Sequence, residues 1–519
     1  MEALTGPGRA LVFIGFMGAG KSTAARQVAS ALGFEAVDSD RLLERRFGHS
    51  VAEQFAQVGE AAFRADEEEV VLELLGAAGR GGVVVALGGG SVLSPRVQAA
   101  LRDHLTVLLD VGLAAAWSRA TRGSVDRPLA RDRGGFERLW HDRAPLYERL
   151  ADAIVPAESG DALRQAVPHL VALAAAPAPA RLLWATAASG DYPVFVGRGL
   201  LRGSLWPLDR RTSRGFAVSD ATVAGLYGDD LDDLAGSVVI APGERHKSLD
   251  SAERVWTALV QARVTRADHL VALGGGVVGD LTGFCAATYQ RGVPVVQVPT
   301  TLLAQVDSAY GGKTGVDIPG GKNYVGVYHQ PAGVIVDPAA LDTLPPAELA
   351  AGYAEVLKTA LIAGGELWAR VAAGEALDER MIVACARTKL AVVAADERDA
   401  GARQQLNLGH TIGHAIETVT EFGRLRHGEA VGLGLLAALR LSGQAQLRED
   451  VAQLLGAHGL PTRVAGLEAA AVLAATASDK KRTGEHVPYV LVDAPGVVRT
   501  GATVAAADQL SAIEELIEP

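Results

Sequence analysis

The segment Gly15-Phe16-Met17-Gly18-Ala19-Gly20-Lys21-Ser22 decides the fold of the first part of the chain. It follows the apolar run at residues 11–14 and precedes an amphipathic stretch at 22–32, so it joins a predicted strand to a predicted helix. It fits G-x-x-x-x-G-K-[ST], in which glycines let backbone N–H groups surround phosphate oxygens. We therefore expect a phosphate-binding loop that carries Mg²⁺ on its serine, made of Gly15, Gly18, Ala19, Gly20, Lys21, Ser22 and Thr23.

Outward from this loop, apolar runs alternate with helical patterns through residues 1–173, with further strands predicted at 83–87 and 106–109 and a helix at 162–174. This alternation predicts a parallel sheet flanked by helices. The Ala/Pro-rich residues 174–181 read as a linker. Residues 182–345 predict a second α/β domain, and 346–519 an all-helical one. Strands of the second α/β domain are expected at 192–196, 215–218, 237–240, 270–273, 295–298 and 334–336.

Composition excludes several classes of protein. The 519 residues carry 49 Lys plus Arg and 60 Asp plus Glu, so the net charge of −11 argues against nucleic acid or an anionic membrane as the main partner. With 49% apolar and 21% charged residues the chain is globular. Two cysteines provide no disulfide framework, and no apolar run is long enough to span a membrane. A short apolar core at 11–20 runs directly into Lys21 instead of a cleavage site, so we expect a cytoplasmic protein.

The residues after the loop limit which molecule could accept the phosphoryl group. In Val37-Asp38-Ser39-Asp40 two carboxylates on extended chain point the same way, one suited to Mg²⁺ and one to a substrate hydroxyl. The alternative for this motif is a solvated helix cap before Arg41. Arg64 follows an aromatic residue and can bind a carboxylate, although a surface arginine would be the plainer interpretation of that motif alone. Gly88-Gly89-Gly90 ends an apolar strand and permits close approach of a ligand. Arg127-Pro128-Leu129 and Arg143 lie in a charged stretch typical of a lid.

Taken in order, the loop, D-S-D, G-E-x-x-F-R, G-G-G, R-P-L and R-x-P-x-Y motifs resemble shikimate kinase over residues 8–170. The resemblance implies a nucleoside-monophosphate-kinase-like α/β fold that binds ATP and Mg²⁺. It implies that Asp38 holds Mg²⁺ through water, that Asp40 binds the acceptor hydroxyls, and that Lys21 and Arg127 act on the transferred phosphoryl group. It assigns the shikimate pocket to Arg64, Arg143, Gly89 and Gly90, and the adenine contact to either Arg119 or Arg122.

The second half carries a possible dinucleotide turn and a metal pattern. Gly274–Gly279 follows an apolar run, as glycines beside a pyrophosphate do, although an ordinary tight turn would look alike. His410 and His414 share one helical face, and His427 and Glu355 complete a donor set suited to Zn²⁺. From spacing alone, His410 and His414 would be joint ligands. Cationic residues cluster among these motifs, where a solvated surface is the plainer alternative: Lys313, Lys322, Lys358, Lys389, Arg403, Lys480 and Lys481.

Over residues 182–519 these motifs closely resemble 3-dehydroquinate synthase, which implies a nucleotide-binding α/β domain joined to a helical domain. The resemblance implies NAD⁺ and Zn²⁺ (or Co²⁺) as cofactors. It also implies conversion of 3-deoxy-D-arabino-heptulosonate 7-phosphate to 3-dehydroquinate, with phosphate release and NAD⁺ regenerated in each turnover. It assigns zinc binding to Glu355, His410 and His427, and it implies that His414 contacts the substrate instead. Arg291 matches an arginine that enters the neighbouring subunit's site, so a homodimer is implied.

The same resemblance assigns the remaining pocket residues. The substrate set is Asp307, Lys313, Asn323, Lys358, Lys389, Arg403, Asn407, His414 and one of Lys480 and Lys481. The NAD⁺ set is Asp220, Glu244, Lys247, Gly275, Gly276, Val277, Asp280, Thr300, Thr301, Asp307, Lys313, Lys322, Asn323 and Thr343. The segment between His414 and His427 is about one residue longer than the family pattern.

Several alternatives stay open at this point. The first half could be another small phosphate-loop kinase, such as a gluconate kinase. The second could be a different sugar-phosphate cyclase, or a metal-dependent alcohol dehydrogenase that releases NADH. Either half could be an inactive binding module.

Overall fold

The computed structural model describes residues 9–122, 132–158, 160–176, 179–203, 205–319, 321–421, 423–476 and 487–518. The chain forms two compact units. The first comprises residues up to Trp184 with Pro193–Phe195, and the second comprises Ala185–Tyr192 and the chain from Val196 onward. In the described ranges, no helix is long and apolar enough to cross a membrane.

The first unit is built on a parallel sheet in the order β2-β3-β1-β4-β5-β6. Its strands are β1 (Leu11–Ile14), β2 (Glu35–Asp38), β3 (Val83–Ala86), β4 (Leu105–Asp110), β5 (Ala153–Pro156) and β6 (Arg181–Ala185). β1 is fully buried, as expected for a central parallel strand covered on both faces. The loop that follows β1 therefore opens at the carboxyl edge of the sheet, where ligands bind in such folds.

Helices cover this sheet. They are α1 (Lys21–Leu32), α2 (Ser39–Phe47), α3 (Val51–Ala78), α4 (Pro95–Leu101), α5 (Leu113–Arg122), α6 (Arg133–Leu150) and α7 (Gly160–Ala175), with a 3₁₀ turn at Ser91–Leu93. Helix α3 starts with a reciprocal capping box between Ser50 and Glu53, and is interrupted at Gly59 (φ 78°). The predicted parallel α/β architecture of this region is confirmed.

The predicted linker differs from the structure at both ends. Helix α7 continues to Ala175, and strand β6 starts at Arg181 and pairs with β5 through Leu182 and Leu183. Residues up to Trp184 belong to the first unit because their backbone hydrogen bonds extend its sheet. The expected domain start at residue 182 is therefore too early.

The second unit contains a parallel sheet in the order β14-β11-β10-β8-β9 and an antiparallel hairpin β12–β13. Strand β7 (Tyr192–Val196) contributes residues to both units. The other strands are β8 (Gly215–Asp220), β9 (Leu234–Ile240), β10 (His269–Gly274), β11 (Val295–Pro299), β12 (Lys313–Ile318), β13 (Gly321–Tyr328) and β14 (Gly333–Val336). The helices among them are α8 (Ala221–Tyr227), α9 (Leu249–Gln261) and α10 (Gly276–Thr288).

Short helical turns connect these elements: Leu200–Arg202, Gly228–Asp230, Glu244–His246, Tyr289–Arg291, a π-helical turn at Ala304–Ser308, Pro338–Thr343 and Ala402–Asn407. The following region is helical, as predicted, but it is not all-helical, because it contains the hairpin β15 (Tyr489–Ala494) and β16 (Val497–Ala502). Its helices are α11 (Pro346–Ala363), α12 (Gly365–Ala372), α13 (Glu379–Ala395), α14 (His410–Val419), α15 (His427–Leu441), α16 (Ala445–Ala457), α17 (Ala469–Thr476) and α18 (Ala506–Glu514).

Candidate active sites

The loop between β1 and α1 has the backbone that its glycines predict. Gly18 adopts φ 83°, and a Cβ atom there would lie 2.6 Å from the carbonyl oxygen of Ala116, so only glycine fits. Lys21 at the start of α1 donates from Nζ to the carbonyl oxygens of Gly15 (2.8 Å) and Phe16 (3.2 Å). The ammonium group thus lies across the loop, where the phosphates of a nucleotide would bind.

The D-S-D motif is not extended as expected. Helix α2 begins at Ser39, and Asp38 caps it by accepting a hydrogen bond from the Arg41 amide (3.2 Å). Asp40 therefore lies in the first helical turn, because an N-cap aspartate favours helix over further strand. Ser22 and Asp38 nevertheless line one cleft of about 860 Å³, as a shared Mg²⁺ site requires.

Asp40 is accessible to solvent, as a residue that contacts substrate must be. The protein around it limits the hydration of its carboxylate, and Asp38 adds like-charge repulsion, so the pKa of Asp40 is raised to about 6. A carboxylate with this pKa can take a proton from a hydroxyl group near neutral pH.

A buried acidic residue, Glu67, organises the expected acceptor pocket. Its carboxylate accepts from Arg64 Nη1 (2.6 Å) and from Ser91 Oγ (2.8 Å), and Gly90 lies so close that a Cβ atom would approach Arg64 Nη1 to 2.0 Å. Glu67 was not predicted, although its position three residues after Arg64 places both on one face of α3.

Arg143 is not part of a lid. It lies in α6, is 8% exposed, and hydrogen-bonds Tyr147, whose hydroxyl group donates to the Gly89 carbonyl (2.6 Å). Arg143 is therefore connected to the glycine segment through Tyr147. Arg127 lies outside the described residues.

The two adenine-side candidates differ in position. Arg119 donates to the carbonyl oxygens of Gly18 (3.5 Å) and Ala157 (3.3 Å), so it lies beside the phosphate loop. Arg122 is exposed at the end of α5. The geometry favours Arg119 for a nucleotide contact.

The second unit contains a cleft of about 1310 Å³ that brings together most of the residues predicted there. Its lining includes Asp220, Glu244, Lys247, Gly275, Gly276, Val277, Asp280, Thr301, Asp307, Lys313, Lys322, Asn323, Lys358, Lys389, Arg403, Asn407, His410, His414 and His427. Glu355, Thr300, Thr343 and Arg291 are not in this lining. Glu355 is buried behind it, and the Thr343 hydroxyl group contacts Tyr227 (2.5 Å). Lys480 and Lys481 lie outside the described residues.

The glycine turn after β10 suits a nucleotide phosphate. Gly275 precedes α10, and no side chain caps this helix. The first residues of the helix line the cleft, so their amide groups can bind a phosphate there. Cβ atoms at Gly274 and Gly275 would lie 2.6 Å and 2.8 Å from the side chains of Val278 and Thr301. Side chains at these two positions would therefore clash with Val278 and Thr301, so the tight turn requires glycine.

Lys247 is the centre of an ion-pair cluster beside this turn. Its Nζ atom lies 2.8 Å from Glu244, 3.3 Å from Asp280 and 3.8 Å from Asp317. Burial disfavours the charged lysine, but these carboxylates outweigh that cost and raise the pKa of Lys247. Lys247 thus stays charged and fixes the two predicted nucleotide-side carboxylates, Glu244 and Asp280.

Glu355, His410 and His427 converge from three helices, and their ligand atoms lie within 4.8 Å of one another. Glu355 is 1% exposed, and its Oε1 atom is 3.6 Å from His410 Nε2 and 3.5 Å from His427 Nε2. One carboxylate and two imidazoles form a donor set typical of catalytic zinc. His414 instead groups with Glu417 and His427, so His410 and His414 do not share one candidate donor group.

Buried cations and Asp307 form the adjoining wall. Asp307 lies in the π-helical turn, with Lys389 Nζ at 2.9 Å and Lys358 Nζ at 3.5 Å from its Oδ1 atom. Burial lowers the pKa of Lys389. Arg403 is 1% exposed and donates to the carbonyl oxygens of Gly311 (2.8 Å) and Glu397. Its guanidinium group donates to carbonyl groups rather than to a carboxylate, so Arg403 suits an anionic substrate group.

Family comparisons match both parts of the chain. Residues 17–173 match shikimate kinase, residues 237–351 match the N-terminal part of 3-dehydroquinate synthase, and residues 352–482 match its C-terminal part. The 3-dehydroquinate synthase of Halorhodospira halophila is 44% identical over 333 residues, which cover 61% of this chain and 94% of that protein. That of Nitrobacter winogradskyi is 44% identical over 340 residues, covering 59% and 88%.

Solved structures share the fold of the second unit. A 2-epi-5-epi-valiolone synthase from Streptomyces hygroscopicus with NAD⁺ and Zn²⁺ bound is 27% identical, with a TM-score of 0.58 over 63% of this chain and 96% of that one. A 2-deoxy-scyllo-inosose synthase complexed with carbaglucose-6-phosphate, NAD⁺ and Co²⁺ is 24% identical, with a TM-score of 0.58 over 64% and 99%. Together with the two clefts, these comparisons show that the chain belongs to the 3-dehydroquinate synthase family and carries a shikimate kinase domain ahead of it.

Proposed function

We propose that this chain catalyses two reactions of one biosynthetic pathway at separate clefts. The first unit transfers the γ-phosphoryl group of ATP to shikimate. The second converts the heptulosonate phosphate to 3-dehydroquinate with release of phosphate. The second assignment rests on the convergence of Glu355, His410 and His427. Glu355 contacts Lys358, and both histidines line the same cleft as Lys358, Lys389 and Asp307.

In the kinase domain, each predicted residue that the structure describes has a separate task. Lys21 binds the phosphates, and Ser22 with Asp38 would hold Mg²⁺, which neutralises phosphate charge when bound. Asp40 accepts the proton of the attacking hydroxyl group. Arg64, fixed by Glu67, and Arg143 bind the substrate carboxylate. The main contribution of the protein is positioning and charge stabilisation.

In the synthase cleft, Glu355, His410 and His427 fit Zn²⁺, and the Gly274–Gly276 turn with Asp220 and Glu244 fits NAD⁺. When bound, zinc polarises substrate hydroxyl groups and NAD⁺ accepts and returns a hydride. Lys358, Lys389 and Arg403 hold the anionic groups of the substrate, and Asp307 keeps the two lysines in place. His414 lines the same cleft, where it can hold or move a substrate proton.

We further propose that the synthase acts as a homodimer in which Arg291 completes the partner's cleft. Arg291 is exposed, lies outside the lining of its own cleft, and has φ 68° next to Gln290 at φ 49°. Two consecutive non-glycine residues in this region carry strain of the kind found at functional sites. Mixing Arg291→Ala and Lys358→Met chains should restore synthase activity, because a mixed dimer contains one intact cleft. No recovery in a mixture shown to exchange subunits would contradict this.

Two free, buried cysteines and the use of ATP and NAD⁺ support a reducing, cytoplasmic compartment as part of this proposal.

The full-length chain tests both activities at once. Incubation with ATP, Mg²⁺ and shikimate should yield ADP and shikimate 3-phosphate, identified by mass. Incubation with the heptulosonate phosphate, NAD⁺ and Zn²⁺ should yield 3-dehydroquinate and one phosphate without net NADH. Lys21→Ala should stop only the first reaction and His427→Ala only the second. Equal ADP production with and without shikimate, or accumulation of NADH, would contradict the respective assignment.

A further inference from the structure

Glu417 is a buried carboxylate next to the metal triad that sequence reasoning did not identify. It lies on α14 and is 3% exposed. Its Oε1 atom is 3.2 Å from His427 Nδ1 and 3.2 Å from Lys322 Nζ. A carboxylate buried among helices costs several kcal/mol unless charged donors compensate it. These two contacts therefore account for an ionised Glu417 in this place.

The contact at Nδ1 decides how His427 presents its other nitrogen. An ionised carboxylate only accepts hydrogen bonds, so Nδ1 must carry the hydrogen atom. The Nε2 atom of the same ring lies 3.5 Å from Glu355 Oε1, on the side of the triad. In a neutral ring Nε2 then offers its lone pair to a metal ion, with the ring orientation set by Glu417.

Glu417 also connects the metal triad to the nucleotide side of the cleft. Lys322 Nζ, which contacts Glu417, lies 3.1 Å from Glu244 Oε1. Lys322 belongs to the hairpin β12–β13, whereas Glu417 and His427 belong to α14 and α15. The carboxylate of Glu417 thus joins two parts of the second unit at the position where metal and nucleotide would meet.

We propose that Glu417 is a positioning residue of the metal centre, which holds His427 in the ring orientation and tautomer that zinc binding requires. This inference rests on the proposed metal site of Glu355, His410 and His427. It assigns to Glu417 no contact with the metal, although His414, Glu417 and His427 could also be grouped as ligands of an ion.

The test measures zinc affinity of the full-length chain by competition with a chromophoric chelator. Glu417→Ala should bind zinc 10–100-fold more weakly, as is typical when the partner of a ligating histidine is removed. Glu417→Gln keeps an acceptor oxygen at the same distance and should recover most of the affinity. Glu417→Asp keeps the charge but withdraws the oxygen by one methylene, so it should bind less tightly than Gln. Glu449→Gln is the matched control, because it removes an exposed negative charge on α16. This variant should bind zinc as tightly as wild type.

Two further readouts separate positioning from a general loss of structure. The melting temperature of each metal-free variant should stay close to that of metal-free wild type, whereas the increment produced by zinc should shrink in Glu417→Ala. The visible spectrum of the Co²⁺-loaded chain should change in Glu417→Ala and return towards wild type in Glu417→Gln.

The outcomes are distinguishable. Wild-type affinity in Glu417→Ala, or Glu417→Gln as weak as Glu417→Ala, would overturn the role of Glu417. Two zinc ions per wild-type chain, of which Glu417→Ala loses one, would make Glu417 a ligand and overturn it as well. A wild-type chain that binds no zinc would instead overturn the proposed metal site on which this inference rests.

Discussion

Lys358 Nζ lies 2.5 Å from Glu355 Oε2, and both side chains are 1% exposed within α11. The two residues are three apart, so one helical face carries a metal-ligand candidate and a substrate-pocket cation together. In the metal-free protein each therefore neutralises the other's buried charge.

Replacing Lys358 with methionine should abolish synthase activity and lower the free energy of unfolding of the metal-free protein by about 3 kcal/mol. Removing one partner leaves a buried carboxylate uncompensated, which typically has this cost. Denaturant titration followed by near-ultraviolet circular dichroism measures it, and excess zinc should reduce the loss. Arg440→Met, which breaks the exposed pair with Glu515 (2.8 Å), should cost less than about 1 kcal/mol. Equal losses in the two variants would contradict a buried role.

The kinase reaction should lose kcat/KM for shikimate as the pH falls through about 6. The pKa of Asp40 is raised to about 6 by restricted hydration and by Asp38, and below that pH the protonated carboxyl group cannot accept a hydroxyl proton. ADP production at limiting shikimate between pH 5 and 8 measures the profile. Asp40→Asn should lose at least about 100-fold in rate and the dependence on this ionisation. A profile that is flat through pH 6 in the wild type would exclude Asp40 as the base.

Gly90→Ala should raise the KM for shikimate about tenfold or more and leave the KM for ATP nearly unchanged. The new Cβ atom would lie 2.0 Å from Arg64 Nη1, and Glu67 restricts the retreat of that guanidinium group. Initial-rate kinetics with each substrate varied in turn measure the two constants. Gly76→Ala, where a Cβ atom meets nothing within 4 Å, is the matched control in α3 and should keep both. An unchanged KM for shikimate in Gly90→Ala would show that Arg64 does not bind it.

Gly428→Ala should abolish zinc retention and synthase activity while the kinase activity remains. A Cβ atom at Gly428 would lie 1.8 Å from the carbonyl oxygen of Ala351, so α15 must move away from α11 and carry His427 from Glu355. Metal analysis after gel filtration and assays of both reactions measure the effect. Gly456→Ala, with no atom within 4 Å of the added methyl group, should retain zinc. Full zinc content in Gly428→Ala would mean that this close packing does not position the ligand.

Local sequence was sufficient wherever one short segment sets both its conformation and its chemistry. The strand–glycine–helix order around Lys21 is observed as predicted, and so is strand β7 at Tyr192–Val196. Residues adjacent in sequence determine these elements, through the spacing of apolar side chains and the backbone conformations that glycine allows. The same local reasoning failed at Asp40, because it did not include the capping of α2 by Asp38.

The sequence did not reveal the buried carboxylates that hold other site residues in position. Glu67 and Glu417 are both 3% exposed. Along the chain, however, Glu67 is one of a run of acidic residues on α3, and Glu417 is a single carboxylate on the mostly apolar α14. A weak signal existed, since Glu67 is one turn from Arg64, and Glu417 is one turn from His414. Their burial and partners depend on packing against segments distant in the chain, which periodicity does not encode.

The sequence by itself determined the two α/β halves, the phosphate loop, the glycine turn and, through family resemblance, the residues of the zinc triad. Only the tertiary structure decided that Glu417 contacts His427, and which carboxylates neutralise Lys247, Lys358 and Arg64. The physical reason is that backbone conformation follows mainly from adjacent side chains. Charge pairing inside a cleft instead follows from which distant helices bring their buried faces together.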